Sequence, residues 1–276
     1  MKNRVITVLL FLILLAGSLT MVFPFLWMLS TALKDSKFVY QIPPQWIPRP
    51  VDWHNFVEIW SVVPLFNGLK NSFFVAGCVV LFGTLSSSMA AFSFSKLDFP
   101  YKDKIFIALL SSIMMPLVVM LIPQFIIYAK IRWIDTLLPL IIPGTLGNIS
   151  MMFFLRQYMN GLSSELMDAA KLDGCGYLRI YGNIFLPLCM PAIAANVILL
   201  FMSTWNDYLG PLVYIHSPSR ATVQVVIASL SSYYAEQTDF PIVMAASIVA
   251  ILPVLLLFVT CQKYFVESFA MSGIKG

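Results

Sequence analysis

The chain has 276 residues, of which 59% are hydrophobic and 11% charged, with a formal net charge of +4 and a mean hydropathy of +0.86. Soluble domains carry roughly 25% charged residues, so one soluble core could not hide this much apolar surface and the excess must face lipid. A disordered chain and a disulfide scaffold are excluded, and a small, dispersed positive charge without a basic block gives nucleic acid no handle.

Uncharged stretches run from Val5 to Leu33, Asn71 to Ser95, Ile105 to Ala129, Thr136 to Leu155, Ile180 to Asn206 and Phe240 to Gln262. Each reaches the roughly 20 residues that cross a hydrocarbon core as helix. The expected fold is an all-α integral membrane protein with six transmembrane helices. Lys2 and Arg4 before the first run imitate a signal peptide, but the run continues past the roughly 7–15 residues of a signal core, so a retained first helix is expected. Between the first two spans, residues 34–66 form an expected extracytoplasmic loop rich in Pro and Trp. There Pro43, Pro44, Pro48, Pro50 and Pro64 should prevent helix formation, and Trp46, Trp53 and Trp60 favour the headgroup level. The segment Ala221 to Ala235 is too short to cross and reads as an interfacial or loop segment.

Orientation follows the basic residues. With the N-terminus inside, ten Lys and Arg lie on the cytoplasmic side and seven outside; the Lys96–Lys104 loop votes most strongly, while Lys130 and Arg132 vote against. Both termini are expected in the cytoplasm, with residues 263–276 as a cytoplasmic tail.

The spans hold essentially no ionisable side chain, Asp135 and Asp207 sitting at their edges. Ion-driven transporters and cation channels usually need such groups within the membrane. No His-Glu-x-x-His, no Gly-x-Ser-x-Gly and no P-loop occurs. Cys78, Cys175, Cys189 and Cys261 fit no metal or redox spacing, and His54 and His216 read as polar loop residues. Ser86, Ser87 and Ser88 suit close helix contacts and hydrogen bonds across them. Nothing here performs bond chemistry, so an energy source must come from another subunit.

The second large loop, expected in the cytoplasm, carries the most information. Ser163 or Ser164 can cap a helix whose first turn holds Glu165 and Asp168, where the helix dipole favours anions. Leu162, Leu166, Ala169 and Ala170 recur at helical spacing and form one expected apolar face, and Gly174 can take the left-handed conformation that ends the helix. A second short helix is expected from Tyr177, re-entering the membrane near Leu186-Pro187. A short face built partly of alanine suits a narrow groove on a partner. A helix lying on lipid would need a broader apolar face with basic flanks.

This loop resembles the EAA motif of permease subunits of binding-protein-dependent ABC importers: Glu-Ala-Ala, three residues, Gly, nine residues, Ile-x-Leu-Pro. Here Asp168-Ala169-Ala170, Gly174 and Ile184-Phe185-Leu186-Pro187 stand in register, with Asp replacing Glu and Cys175 where alanine is frequent. Further stretches resemble the carbohydrate-importer branch, similar to the maltose-type permeases. They are Pro43-Pro44-Gln45-Trp46-Ile47-Pro48, Asn71-Ser72, Met114-Met115-Pro116, Leu121-Ile122-Pro123, Trp205-Asn206-Asp207-Tyr208, Gln262-Lys263-Tyr264-Phe265-Val266 and Gly273-Ile274-Lys275-Gly276; Glu267-Ser268-Phe269 departs from that branch.

The resemblance implies a type-1 ABC importer permease fold, with the transmembrane domain at residues 67–262 and its coupling loop at 156–183. It implies a bacterial or archaeal cytoplasmic membrane, a second permease subunit, two ATP-binding cassette subunits that hold ATP and Mg, an extracytoplasmic solute-binding protein, and a carbohydrate as cargo. This chain itself would need no cofactor. Glu165, Asp168, Ala169, Ala170, Asp173, Gly174, Ile184, Leu186 and Pro187 would form the ATPase-coupling loop. Sugars need neutral hydrogen-bond partners and stacking rings, so Asn148, Asn196, Ser203, Trp205 and Asn206 are candidates for the substrate pathway. The alternative is a non-transporting membrane assembly subunit that recruits a cytosolic partner through the same loop.

Overall fold

A computed structural model describes residues 2–233 and 238–273. Ala235, Ile274, Lys275 and Gly276, and the side chains of Lys2 and Lys263, lie outside what is described. The described residues are helices joined by turns. They fall into two compact units, residues 1–66 with 226–252, and residues 67–225 with 253–276.

The first unit opens with α1 (Lys2–Ala32), which runs unbroken through Pro24. Its apolar side chains are exposed from Ile6 to Leu26, the condition of a helix whose solvent is lipid. After α1 the chain is tied down locally. Asn55 Nδ2 donates to the carbonyls of Ala32 and Lys34, both at 2.9 Å, and so satisfies backbone acceptors that the helix end leaves open. Lys34 is buried with its ammonium 4.3 Å from the Trp27 ring centre, and burial pushes its pKa down. Trp46 folds back onto α1 between Phe23 and Trp27, at 5.7 and 5.2 Å between ring centres. The expectation that proline keeps this segment free of helix is corrected. The stretch between Pro50 and Pro64 has no proline, and it forms α2 (Asn55–Val62) with Ile59 fully buried.

The second unit is organised around α3 (Leu65–Lys96), which starts directly after Pro64 and not at Asn71. Then come α4 (Lys102–Ile113), α5 (Leu117–Lys130), α6 (Leu138–Thr145) and α7 (Ile149–Asn160). The loop that follows holds α8 (Glu165–Leu172), α9 (Tyr177–Ile180), a π-helical segment Tyr181–Phe185 and α10 (Leu186–Leu188). The chain ends with α11 (Met190–Trp205), α12 (Leu209–Tyr214), α13 (Val223–Tyr233) and α14 (Phe240–Gly273). The apolar segment expected as interface or loop is therefore helical as α13, though its 11 residues are too few to cross.

Among the described residues, four helices or continuous helix pairs are long and apolar enough to cross a membrane, and the number reaches six if each of two bent pairs is one span. The bends are 100° between α4 and α5 and 80° at the break before α11. Proline explains the first: Pro116 has no N–H to continue α4 and starts α5 from an extended conformation. The π-helical segment precedes Pro187 for a related reason. Pro187 offers no N–H to the Asn183 carbonyl four residues back, and the backbone widens so that the Leu186 N–H reaches Tyr181 O instead.

The core of this unit joins α3, α7, α8 and the π-helical segment through Phe92, Phe94, Met151, Met152, Leu155, Met159, Met167, Ala170, Ile180 and Phe185. The three serines stitch it, as their composition suggests. Ser86 Oγ donates to Thr145 O at 2.9 Å, Ser87 Oγ accepts from Asn148 N at 2.7 Å, and Ser88 Oγ pairs with Tyr181 Oη at 2.8 Å. Asn71 and Ser72 hold the chain entering α13: Asn71 Nδ2 donates to Ser219 O and Ala221 O, and Ser72 Oγ accepts from Val223 N. From the turn between α5 and α6, Asp135 holds the same loop, accepting from the Ser217 hydroxyl (2.5 Å), Ser217 N (2.8 Å) and His216 N (3.0 Å), with Arg220 alongside at 3.2 Å. The Ser217 bonds first, then the His216 bond and the Arg220 charge, hold the Asp135 carboxyl down at about 2.

Two predictions follow from these contacts. A depressed folded-state pKa gives stability that is present above the ordinary carboxylate range and disappears as pH falls through the folded value. Amide exchange at residues 215–220 should therefore accelerate as pH drops from about 4 towards 2, after correction for intrinsic exchange, and Asp135→Asn should remove the pH dependence. The second concerns close helix approach. A Cβ on Gly83 would stand 2.6 Å from the Gly144 carbonyl oxygen, whereas one on Gly77 would meet nothing within 4 Å. Gly83→Val should destabilise the detergent-solubilised protein by about 1–3 kcal/mol, read as a lower Tm, and Gly77→Val should leave it nearly unchanged.

Candidate functional site

Helix α7 continues through Arg156 to Asn160, so the loop expected from Arg156 is shortened to Gly161–Gly176, and it is built to hold α8 rigidly. At its start Ser163 Oγ accepts from Glu165 N at 3.1 Å, while Ser164, the residue at the cap position, makes no side-chain cap bond. Glu165 and Asp168 occupy the first turn, where the unpaired N–H groups favour negative charge. At its end Gly174 takes φ +77°. Gly174 N donates to Lys171 O at 3.0 Å and Cys175 N to Ala170 O at 2.9 Å. This pair of bonds is a Schellman motif. Cys175 packs against the same core as Ala170, which supplies the apolar contact that accompanies such an ending.

The expected single apolar face is corrected. Met167 and Ala170 are the inward residues, 4% and 5% exposed, with Leu162 partly buried beside them. Leu166 (41%), Ala169 and Leu172 (90%) point away from the core, together with Asp168, Asp173 and Gly174. Successive helical residues are about 100° apart, so two adjacent alanines end on different faces: Ala170 fixes the helix and Ala169 is presented. Farther on, Ile184 and Leu186 pack against the core, whereas Pro187 is exposed and opens α10.

Several residues without a motif signal hold this loop to the membrane helices. Lys96 Nζ donates to Leu162 O at 2.7 Å, and Ser95 Oγ donates to Asn160 Oδ1 at 2.8 Å. Arg156 Nε donates to Phe94 O at 3.1 Å, its guanidinium lies 3.8 Å from the Phe106 ring centre, and Nη2 stands 3.5 Å from Asp103. The one available clue was position, since Lys96 closes a long apolar helix where a cation suits the dipole. Between the end of α3 and α8 lies a cleft of about 410 Å³ lined by Ser95, Lys96, Asp98, Asn160, Asp168 and Lys171, among others.

A second cleft, of about 230 Å³, is lined by Asn148, Ser150, Met151, Asn196, Leu199, Leu200 and Ser203. Three of the five residues proposed for a substrate pathway thus come together. Asn148 Oδ1 caps α7 by accepting from Met151 N at 2.9 Å, and Asn196 Nδ2 donates to Ala192 O one turn back at 2.9 Å. The other two do not line it. Trp205 is 1% exposed, with Phe73 and Phe201 at 4.8 and 5.5 Å between ring centres, and Asn206 Oδ1 accepts from Gln224 Nε2 at 3.3 Å.

Comparison with known proteins bears on the whole chain. An arabinooligosaccharides transport system permease protein, AraQ, of Halalkalibacterium halodurans is 33% identical over 230 residues, covering 83% of this chain and 81% of that protein. AraQ of Bacillus subtilis is 31% identical over 266 residues, covering 94% and 92%. A chain in the crystal structure of a bacterial ABC transporter involved in import of the acidic polysaccharide alginate superposes with a TM-score of 0.84. It covers 96% of this chain and 98% of its own at 19% identity, which shows the same fold. Residues 3–270 match the family described as binding-protein-dependent transport system inner membrane component, and this chain belongs to that family as a permease of the ABC importer type.

Proposed function

We propose that this permease moves a carbohydrate, an oligosaccharide in particular, across the bacterial cytoplasmic membrane, driven by separate ATPase subunits that grip α8. The substrate class rests on the named cargo of its relatives, arabino-oligosaccharides and alginate. One structural observation supports the coupling. α8 is fastened to the core by Met167 and Ala170 while presenting Leu166, Ala169 and Leu172 outward, so a partner that grips the presented face moves the core with it.

In this reading each bent pair counts as one span, giving six, and both termini lie in the cytoplasm with residues 34–66 outside. Residues 67–262 form the transporting domain, and loop 156–183 faces the ATPases. A second permease faces this one, and a solute-binding protein delivers sugar from outside. Closure of the ATPases on ATP favours one of two arrangements of the helices, because the nucleotide binds the closed pair better. The chain supplies shape and leverage, and ATP and Mg stay in the partner subunits. The Asn148–Asn196–Ser203 cleft supplies neutral hydrogen-bonding groups suited to sugar hydroxyls. At 230 Å³ it falls below the roughly 300 Å³ at which ligand pockets begin, which fits one wall of a passage closed by the second permease.

Two experiments test this. Gly174→Val places a β-branched residue at a positive φ, costing about 1–2 kcal/mol or more in backbone energy, although a Cβ there meets nothing within 4 Å. Sugar uptake should be lost while the permease remains in the membrane, and Gly174→Asn, which tolerates this conformation, should keep much of it. Wild-type uptake by Gly174→Val would sink the coupling role. Asn196→Ala in the assembled transporter should raise the sugar concentration for half-maximal uptake roughly five- to tenfold, with co-purification of the ATPase subunits unchanged. An unaltered uptake curve would remove this cleft from the pathway. Sugar-stimulated ATP hydrolysis in liposomes separates a transporter from a mere assembly subunit.

A further inference from the structure

The last turn of α3 touches both ends of the coupling loop. Lys96 Nζ donates to the Leu162 carbonyl two residues before Ser164, and the same ammonium lies 5.3 Å from the ring centre of Phe185, where the loop leaves through the π-helical segment. Beside it Ser95 holds Asn160, the last residue of α7. A carbonyl facing a half-buried lysine through one short bond is a strong contact because the donor is charged.

About 14 Å up the same helix, nine residues at 1.5 Å each, Ser87 accepts from Asn148 N and donates to Asn148 O at 3.2 Å. Asn148 lines the second cleft. Residues 87–96 of α3 therefore form an unbroken helical rod with one end on the loop that carries α8 and the other on a wall of that cleft.

We propose that Lys96 is a positioning residue for transport, a joint that works with the packing of Met167 and Ala170 to pass displacement of α8 to α3 and on to the Asn148 cleft. This rests on the reading of α8 as the element gripped by the ATPase subunits. Packed helices move as units and respond between discrete arrangements, and Met167 and Ala170 already seat the middle of the loop on the core. Lys96 adds an attachment at the ends of the loop, holding its entry and its exit to the last turn of α3. Its own side chain does not belong to the presented face of α8, so docking and transmission are separable.

The test uses the complete transporter reconstituted with its partner subunits, carrying Leu172→Cys for cross-linking to the ATPase subunit. Lys96→Met keeps the length of the side chain and removes the donor. Cross-linking and ATP hydrolysis should persist in that variant, while sugar moved per ATP hydrolysed falls about tenfold, the effect of one charge-assisted hydrogen bond. Lys96→Arg, which restores a donor, should recover most of the ratio. An unchanged ratio in Lys96→Met overturns the proposal. Loss of cross-linking in step with transport overturns it too, since Lys96 would then only support the docking surface. If Leu172→Cys fails to cross-link with Lys96 intact, the coupling reading itself fails and the joint with it.

Discussion

Burial of Met167 and Ala170 is the constraint on which the functional reading depends. An eight-residue helix has little stability of its own, because nucleation is unfavourable and few backbone bonds repay it. Burying a methionine side chain contributes roughly 1.5–3 kcal/mol, and Met167 is buried in the core cluster that also holds Met159, Ile180, Phe92 and Phe94. The Schellman bonds at Gly174 and Cys175 then fix where the helix stops. α8 is consequently a projection of the membrane core and not an appendage of a loop. Any force on its outer face is carried by close-packed side chains, which have no slack to absorb it.

The same logic governs the few polar groups elsewhere in this unit. A backbone in lipid must find its own hydrogen-bond partners, and every break in the helices raises that difficulty locally. The break before α7 is met by Ser86 and Ser87, which reach the Thr145 and Asn148 backbone from α3. The break before Pro187 is met by a widened helical turn. Charges are concentrated near the two ends of α3. Near one, Asn71 holds the loop whose Ser217 and Arg220 contact Asp135; at the other, Lys96 holds the loop that carries α8 and Arg156 ties α7 to α3. In both places a charged side chain serves loop carbonyls or loop amides, a use consistent with a chain that is only 11% charged.

Much of this was legible before any coordinates. Continuous apolar runs located the long helices, and the spacing around Asp168 and Gly174 located the short helix α8 and its left-handed ending. What escaped has identifiable causes. Hydropathy counts residues and is blind to direction, so it could not show that Pro116 turns the chain by 100°. Proline enrichment obscured α2, because five prolines flank the proline-free stretch that forms it. Trp205 carried an aromatic ring and an adjacent Asn, a plausible sugar platform, but its size made it the better filler between Phe73 and Phe201.

The error on α8 is the most instructive. Five small or apolar residues on an eight-residue helix are compatible with either of two overlapping faces, and periodicity alone cannot choose between them. The choice is made by Met167, a long flexible side chain able to fill an irregular gap, which draws its side of the helix inward and takes Ala170 with it. Leu166, Ala169 and Leu172 are thereby left outside. An apolar residue as exposed as Leu172 beside two acidic groups, Asp168 and Asp173, gives a small surface that is neither a core nor a broad lipid-binding stripe. Its apolar part is too narrow for a bilayer and its charge has the wrong sign for anionic headgroups. A protein groove that accepts two leucines around an alanine, with basic groups at its rim, satisfies both features at once.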